Sequence, residues 1–250
     1  MSTVTTLDVP ASDGAADALL AVPDAPGRYP GILLYMDAFG LRPRIAEMAG
    51  RFADAGYVVL APNVFHRSQR SPLVDVADLA DPAQREKVFG TVMPMMQALT
   101  ADLAEQDARS WLAFLAEHES VADGAFGTIG YCMGGRLALR TGSVASDLVA
   151  AVAGYHPGHL ATDAPDSPHL SFPGLQAEVY LGYADNDGSM DLDQQTRVAQ
   201  ALDAAGVTFT AELYEGAIHG FTMADTASYG AEHEQRHWDT SLDLFARSLG

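Results

Sequence analysis

Cysteine is nearly absent from this 250-residue chain. Cys132 is the only one, which excludes an intramolecular disulfide and any metal site built from several thiolates. Basic residues are also scarce. Fourteen Lys and Arg against 33 Asp and Glu leave a net charge of 14 − 33 = −19. Nucleic acid and anionic membrane surfaces need a basic footprint, so neither is expected as a partner. No run of about 18 apolar residues occurs, so no membrane-spanning helix is expected. The N-terminal stretch MSTVTTLDVPASDGAAD lacks a basic segment followed by an apolar one, so no secretory signal is expected and a cytoplasmic location is the default. Linker-like Ser/Gly tracts and internal repeats are missing as well.

What is present is a globular composition, 48% hydrophobic, at a length that suits one α/β domain over residues 1–250. Short apolar runs predict strands at Thr5–Val9, Ala18–Val22, Gly31–Met36, Tyr57–Ala61, Ala125–Tyr131, Val149–Tyr155, Glu178–Gly182 and Thr208–Tyr214. GILLY, YVVLA and AVAGY are apolar at consecutive positions, as strands buried on both faces should be. The first two runs alternate and read as an antiparallel edge. Helical patterns lie between, at Arg42–Ala55, Asp102–Glu119, Met133–Ser146, Asp191–Ala205 and Glu232–Leu249. A further helix is expected within Pro82–Leu99, interrupted by Pro94. The alternation predicts a mostly parallel sheet of about eight strands with helices on both faces. Ligands then bind at the carboxyl ends of the strands, after Met36, Tyr131, Gly182 and Tyr214.

Gly130-Tyr131-Cys132-Met133-Gly134-Gly135 stands at one of these ends, between a strand and a helix. G-x-C-x-G there is the thiol form of the nucleophile elbow, a sharp turn with no room for side chains at the flanking glycines. A base is needed beside a thiol nucleophile. His219 follows the last strand, in EGAIHGF, so the chain order nucleophile, acid, histidine is that of α/β-hydrolases. The acid should follow the preceding strand. Asp185, three residues beyond Gly182, is the preferred candidate, and Asp187 is its competitor. Two backbone donors are expected to hold an oxyanion, the N–H groups of Met133 and Ala38. Asp37, beside Ala38, reads either as a turn-capping aspartate or as a carboxylate that interacts with the cysteine's proton. Phe39, Tyr131, Tyr155 and Met223 are the expected substrate contacts.

At these residues the chain resembles the dienelactone hydrolase family. The resemblance runs from GILLYMDAFGLRP through APNVFHR and GYCMGG to YLGYADND and AIHGFTM. It implies the α/β-hydrolase fold and cleavage of a carboxylic ester or lactone without a cofactor. By matching motifs it implies Cys132 as nucleophile, Asp185 as acid and His219 as base. Family members carry a glutamate in the oxyanion loop that holds the resting cysteine, and here that position is Asp37, one methylene shorter. They also carry an arginine four residues after the histidine that binds a substrate carboxylate, and here that residue is Met223. Arg42, Arg44, Arg67 and Arg70 are the candidate replacements.

Two rival readings use other features. Loss of that arginine and shortening of the loop carboxylate would suit a binding protein that keeps the pocket without turnover. His233-Glu234-Gln235-Arg236-His237 matches the zinc motif H-E-x-x-H, but no third ligand with suitable spacing follows, so no metal is expected. His156 and His159, at another strand end, read as pocket wall. The expected partner is a small ester or lactone, and the assembly a monomer or homodimer.

Overall fold

The computed structural model describes residues 1–250. Its centre is an eight-stranded sheet: β1 (Ser2–Ala11), β2 (Gly14–Pro23), β3 (Gly31–Tyr35), β4 (Val58–Pro62), β5 (Phe126–Tyr131), β6 (Val149–Tyr155), β7 (Glu178–Ala184) and β8 (Phe209–Tyr214). Their spatial order is β1-β2-β4-β3-β5-β6-β7-β8. β1 pairs antiparallel with β2, and β2 with β4, while every later pairing is parallel. The mostly parallel architecture and its antiparallel edge are therefore as expected. The first two strands are longer than their alternating cores, pairing from Ser2↔Pro23 to Ala11↔Gly14. Their ladder is carried by backbone bonds, which do not require apolar side chains on the exposed β1.

The apolar runs GILLY and VVLAP are buried at every position, because helices cover both faces of the sheet centre. α1 (Pro43–Asp54) begins with proline in its first turn, where the missing N–H has no helical partner anyway, and ends ahead of Gly56 at φ +97°. Ile45, Met48, Ala49 and Phe52 form its buried stripe. Phe52 meets Trp238 and Phe245 of α6 (Ala231–Leu249) at ring separations of 4.7 and 5.9 Å, joining the two helices on one face. α3 (Ala101–Glu117) and α4 (Met133–Val144) pack together on the other, and α5 (Leu192–Ala204) bridges β7 to β8.

The remaining helix, α2 (Pro82–Ala98), runs unbroken through Pro94, contrary to the expected interruption. Proline at 94 removes the hydrogen bond to the carbonyl of Gly90. Gly90 is solvent-exposed, so water can satisfy that carbonyl and the helix continues. α2 buries only Val88 and Val92 and lies over the carboxyl ends of the strands as a loose cover. Chain order reverses between β3 and β5, and this switch point, below α2, is where a ligand crevice belongs in such sheets.

Candidate active site

β5 ends at Tyr131, and Cys132 makes the turn into α4 with φ +54° and ψ −119°. A left-handed φ is strained for a residue with a Cβ and persists only where the surroundings enforce it. Here the enforcement is close packing of backbone. A Cβ on Gly130 would lie 1.9 Å from the Gly134 carbonyl oxygen, and one on Gly134 would lie 2.5 Å from the carbonyls of Tyr35 and Met36. Both elbow glycines are thus demanded by contact. The turn lifts Cys132 into a cleft of about 440 Å³ that His219, His156, Phe39, Met96 and Met223 also line.

His219 lies after β8, with its side chain one-third exposed. Its Nδ1 is 2.6 Å from Oδ2 of Asp187, whose side chain is only 4% exposed. Burial alone would push the imidazole down. The Asp187 carboxylate and the Cys132 sulfur together outweigh it and push His219 up to about 10. Asp187 is held in turn by Ser189, whose N–H and Oγ donate to Oδ1 at 2.9 and 2.7 Å. Burial raises the Asp187 carboxyl, but His219 and Ser189 hold it below the usual carboxylate range.

The acid partner of His219 is therefore Asp187 and not Asp185, which corrects the sequence-based preference. Asp185 accepts a hydrogen bond from the Gly216 N–H at 3.1 Å and turns away from the imidazole. The reason is strand length. β7 continues two residues past Gly182, pairing Tyr183 with Leu213 and Ala184 with Tyr214. The carboxylate three residues beyond the true strand end is Asp187, directly after Asn186 at φ +53°.

Asp37 is the second correction. Both its oxygens are forked by Arg42, at 2.7 and 2.9 Å, and Oδ1 also accepts the Phe39 N–H at 3.0 Å. With both oxygens engaged, it is a turn-capping, ion-paired aspartate and is not held by the cysteine. Arg42 reaches on to Asp225 at 2.6 Å, and its Nη2 lies 3.3 Å from the Met223 sulfur. Arg44 is taken by Glu47, Glu234 and the Thr222 carbonyl, Arg67 by Asp13 and Asp107, and Arg70 by Asp8. All four candidate replacements for the missing arginine are therefore consumed by internal partners.

Of the four expected substrate contacts, Phe39 and Met223 line the cleft. Tyr131 and Tyr155 do not. They are fully buried beneath the sheet end, where the Tyr131 hydroxyl meets His237 Nε2 at 3.0 Å and Tyr155 bonds Thr240 and Ser241 of α6. Residues preceding and following the turn project to opposite faces, so a strand-end position does not by itself give access to the crevice. His156 is pocket wall, as expected. Its Nε2 meets Thr222 Oγ1 at 2.8 Å, its ring centroid is 5.1 Å from that of His219, and burial holds its pKa well below the ordinary value.

The N–H groups of Met133 and Ala38 have no acceptor in the protein, although Met133 and Ala38 are buried beside Cys132. The H-E-x-x-H side chains do not converge. His233 donates to the Glu215 carbonyl, Glu234 is bound by Arg44, Tyr229 and Trp238, and burial pushes His237 down to about 3. A separate trio of Asp13, His66 and Asp107 comes together, but Arg67 already bridges the two carboxylates as their cation. No helix is long and apolar enough to cross a membrane.

The model of the dienelactone hydrolase family matches residues 16–249. A candidate carboxymethylenebutenolidase of Methylorubrum extorquens is 30% identical over 242 residues, spanning 95% of this chain and 78% of its own. The carboxymethylenebutenolidase of Rhodococcus opacus is 26% identical over 223 residues, 87% of this chain and 81% of its own. The crystal structure of a candidate dienelactone hydrolase from Klebsiella pneumoniae superposes with a TM-score of 0.84, covering 98% and 99% of the two chains. At 23% identity that likeness speaks for the fold alone. Sequence and fold agree over nearly the whole length, and the chain belongs to the dienelactone hydrolase family.

Proposed function

We propose that this protein hydrolyses a carboxylic ester or lactone through Cys132, His219 and Asp187, by way of an acyl-cysteine. The observation that carries this reading is the Asp187–His219 pair at 2.6 Å, lining one cleft with a cysteine presented on a strained elbow. His219 takes the Cys132 proton, and the sulfur attacks the carbonyl carbon as a thiolate. The carbonyl π pair moves to oxygen, and the free N–H groups of Met133 and Ala38 receive the oxyanion. As the tetrahedral adduct collapses, the carbon–oxygen bond breaks and the leaving alkoxide takes the proton from His219. His219 then removes a proton from water, the hydroxide adds to the thioester, and the acid leaves as the sulfur is expelled. Asp187 keeps Nδ1 protonated throughout, so that Nε2 is the atom that accepts and returns the proton.

The supporting test uses p-nitrophenyl acetate and a panel of lactones with the wild type, the iodoacetamide-treated protein and Cys132→Ala. Hydrolysis lost in both altered forms, with an acyl adduct on Cys132 detected by mass spectrometry in the wild type, is the expected result. Full activity of either altered form would refute the assignment. An intact fold that binds the esters but forms no adduct would identify a binding protein instead.

A further inference from the structure

The cleft does not end at Cys132. Beyond Cys132, a smaller space of about 180 Å³ is lined by Cys132, His219, Ser189, His159, Arg136 and Asp187, the last already bonded by His219 and Ser189. Arg136 and His159 also border a neighbouring space of about 310 Å³ whose other walls include Gln97, Thr100 and Arg140. The crevice under α2 and this chamber meet at the nucleophile.

Arg136 is unusual in its lack of partners. Every other arginine has a carboxylate, a carbonyl or an aromatic ring to hold it, from Arg28 on Asp123 and Arg51 on Trp238 to Arg247 on Glu178. Arg85 holds the Leu79 carbonyl, Arg109 the Val144 carbonyl, and Arg140 pairs with Glu105. Arg136 has no hydrogen bond or ion pair, although acidic residues outnumber basic ones 33 to 14 in this chain. Asp166, in the wall of the larger space, acts on it electrostatically without forming an ion pair. Arg136 is half-buried, and burial lowers its pKa. A partly desolvated cation without a counterion carries a cost that a bound anion would relieve.

Its position is equally specific. Arg136 is four residues after Cys132, one turn along α4. Side chains on a helix lean toward its N-terminus, so the guanidinium is carried back over the turn that bears the nucleophile. Cys132 is close enough to act on it electrostatically. No bonding partner holds it away from the chamber.

We propose that Arg136 anchors an oxyanion group, carboxylate or phosphate, on an arm of the substrate that occupies this chamber while the reacting carbonyl lies at Cys132. This rests on the hydrolase reading for the reaction, but not for the binding. The subsite lies across the nucleophile from Met223, and it takes over charge recognition that neither Met223 nor the internally paired Arg42 can supply. Arg is suited to the task because its planar fork grips both oxygens of a carboxylate or phosphate.

The experiment compares wild type, Arg136→Leu, Arg136→Lys and Arg85→Leu in two assays. The first is the ratio of kcat/KM for mono-p-nitrophenyl glutarate to that for p-nitrophenyl butyrate. Arg136→Leu should lower this ratio about 10- to 100-fold, the worth of a charge-assisted contact, with Arg136→Lys recovering part of it and Arg85→Leu leaving it within threefold. The second is the rate at which neutral iodoacetamide alkylates Cys132, with and without glutarate or inorganic phosphate. At least one of these anions should protect the wild type but not Arg136→Leu, and which one protects tells carboxylate from phosphate. An equal fall for both esters would mean that Arg136 acts on Cys132 itself, and would overturn the proposal. So would an unchanged ratio, transfer of the effect to Arg85, or protection by neither anion. Anion protection without turnover of either ester would instead defeat the hydrolase reading and leave the subsite standing. Far-ultraviolet circular dichroism of each variant separates these outcomes from misfolding.

Discussion

Replacing Asp187 by Asn tests the site more sharply than any other single change, because Asp185 two residues earlier is a built-in control. Asp187 does two things for His219. It stabilises the imidazolium through a hydrogen bond of 2.6 Å from a side chain 4% exposed, and it fixes the proton on Nδ1. Loss of a charge-assisted bond of that kind costs about 1.5 to 3 kcal/mol, or about 10- to 150-fold in rate. Asparagine does further harm if its amide N–H₂ faces Nδ1, since the ring must then accept there and carry its proton on Nε2. In serine triads this reversal brings the loss to about 10⁴. The expected range for Asp187→Asn is therefore about 10² to 10⁴ in kcat with p-nitrophenyl acetate. Asp185→Asn removes only a charge, because an amide oxygen can still accept the Gly216 N–H at 3.1 Å, and kcat should stay within about threefold. The same pair should separate in the pH dependence of Cys132 alkylation by iodoacetamide. The upper limb that belongs to His219, near 10 in the wild type, should move down in Asp187→Asn and stay in place in Asp185→Asn. A larger loss from Asp185→Asn than from Asp187→Asn would refute the assignment and the strand-length argument behind it.

Stability should carry the same signature. His219 holds its proton to about 10 in the folded protein but releases it near 6.5 when unfolded, so its contribution is complete below about pH 6.5 and is lost as pH rises through about 10. The difference in urea unfolding free energy between wild type and His219→Gln should shrink across that window, and a difference that grows would contradict the sign. Gly130→Ala places a Cβ 1.9 Å from the Gly134 oxygen and should destabilise by about 3 kcal/mol or fail to fold, read by thermal denaturation. Asp37→Ala breaks a pair in which both side chains are 5% exposed and leaves Arg42 with Asp225 alone, at an expected cost of about 3 kcal/mol. Alkylation of Cys132 should change less than twofold in that variant, whereas a large change would restore Asp37 as a partner of the thiol. Because His233, Glu234 and His237 are bound to three different sets of protein groups, prolonged dialysis against EDTA and the His233→Ala substitution should both leave kcat unaltered; dependence on added zinc would overturn this.

The parts of the site legible in sequence are those where backbone geometry dictates residue type. The elbow is one, since carbonyls 1.9 and 2.5 Å from where a Cβ would sit leave only glycine at 130 and 134. The buried strands are another, because burial on both faces requires GILLY and VVLAP to be apolar at every position. Asp187 was less legible because Tyr183 and Ala184 fit a strand or a loop equally well, and only pairing with Leu213 and Tyr214 shows that the strand continues. The fate of Asp37 lay in contacts no local pattern encodes. Arg42 is five residues away and within reach, but Asp225, which completes the pair, is 183 residues from Arg42. The exclusion of Tyr131 and Tyr155 from the cleft likewise depends on α6, whose His237, Thr240 and Ser241 capture their hydroxyls from the opposite face.

These losses and gains are connected through charge. A methionine at 223 leaves no cation four residues after the histidine, and the sulfur there rests against Arg42 at 3.3 Å. Arg42 could have replaced the missing cation only if its own carboxylates were absent, yet Asp37 and Asp225 neutralise it twice over. A bound anion beside Met223 would face two fixed carboxylates, so that corner of the crevice suits an uncharged part of a substrate. On the other side of Cys132 the space is lined by Asp187, which His219 and Ser189 already hold, and by Arg136, which has no ion pair. The unpaired cation therefore lies on one side of the nucleophile and the doubly paired Arg42 on the other, with the reacting carbonyl between them. A substrate with its charge on the other side of the ester would meet an Arg42 already held by Asp37 and Asp225 instead of the unpaired Arg136. That makes the position of the charge, and not only its presence, the property on which this hydrolase should discriminate.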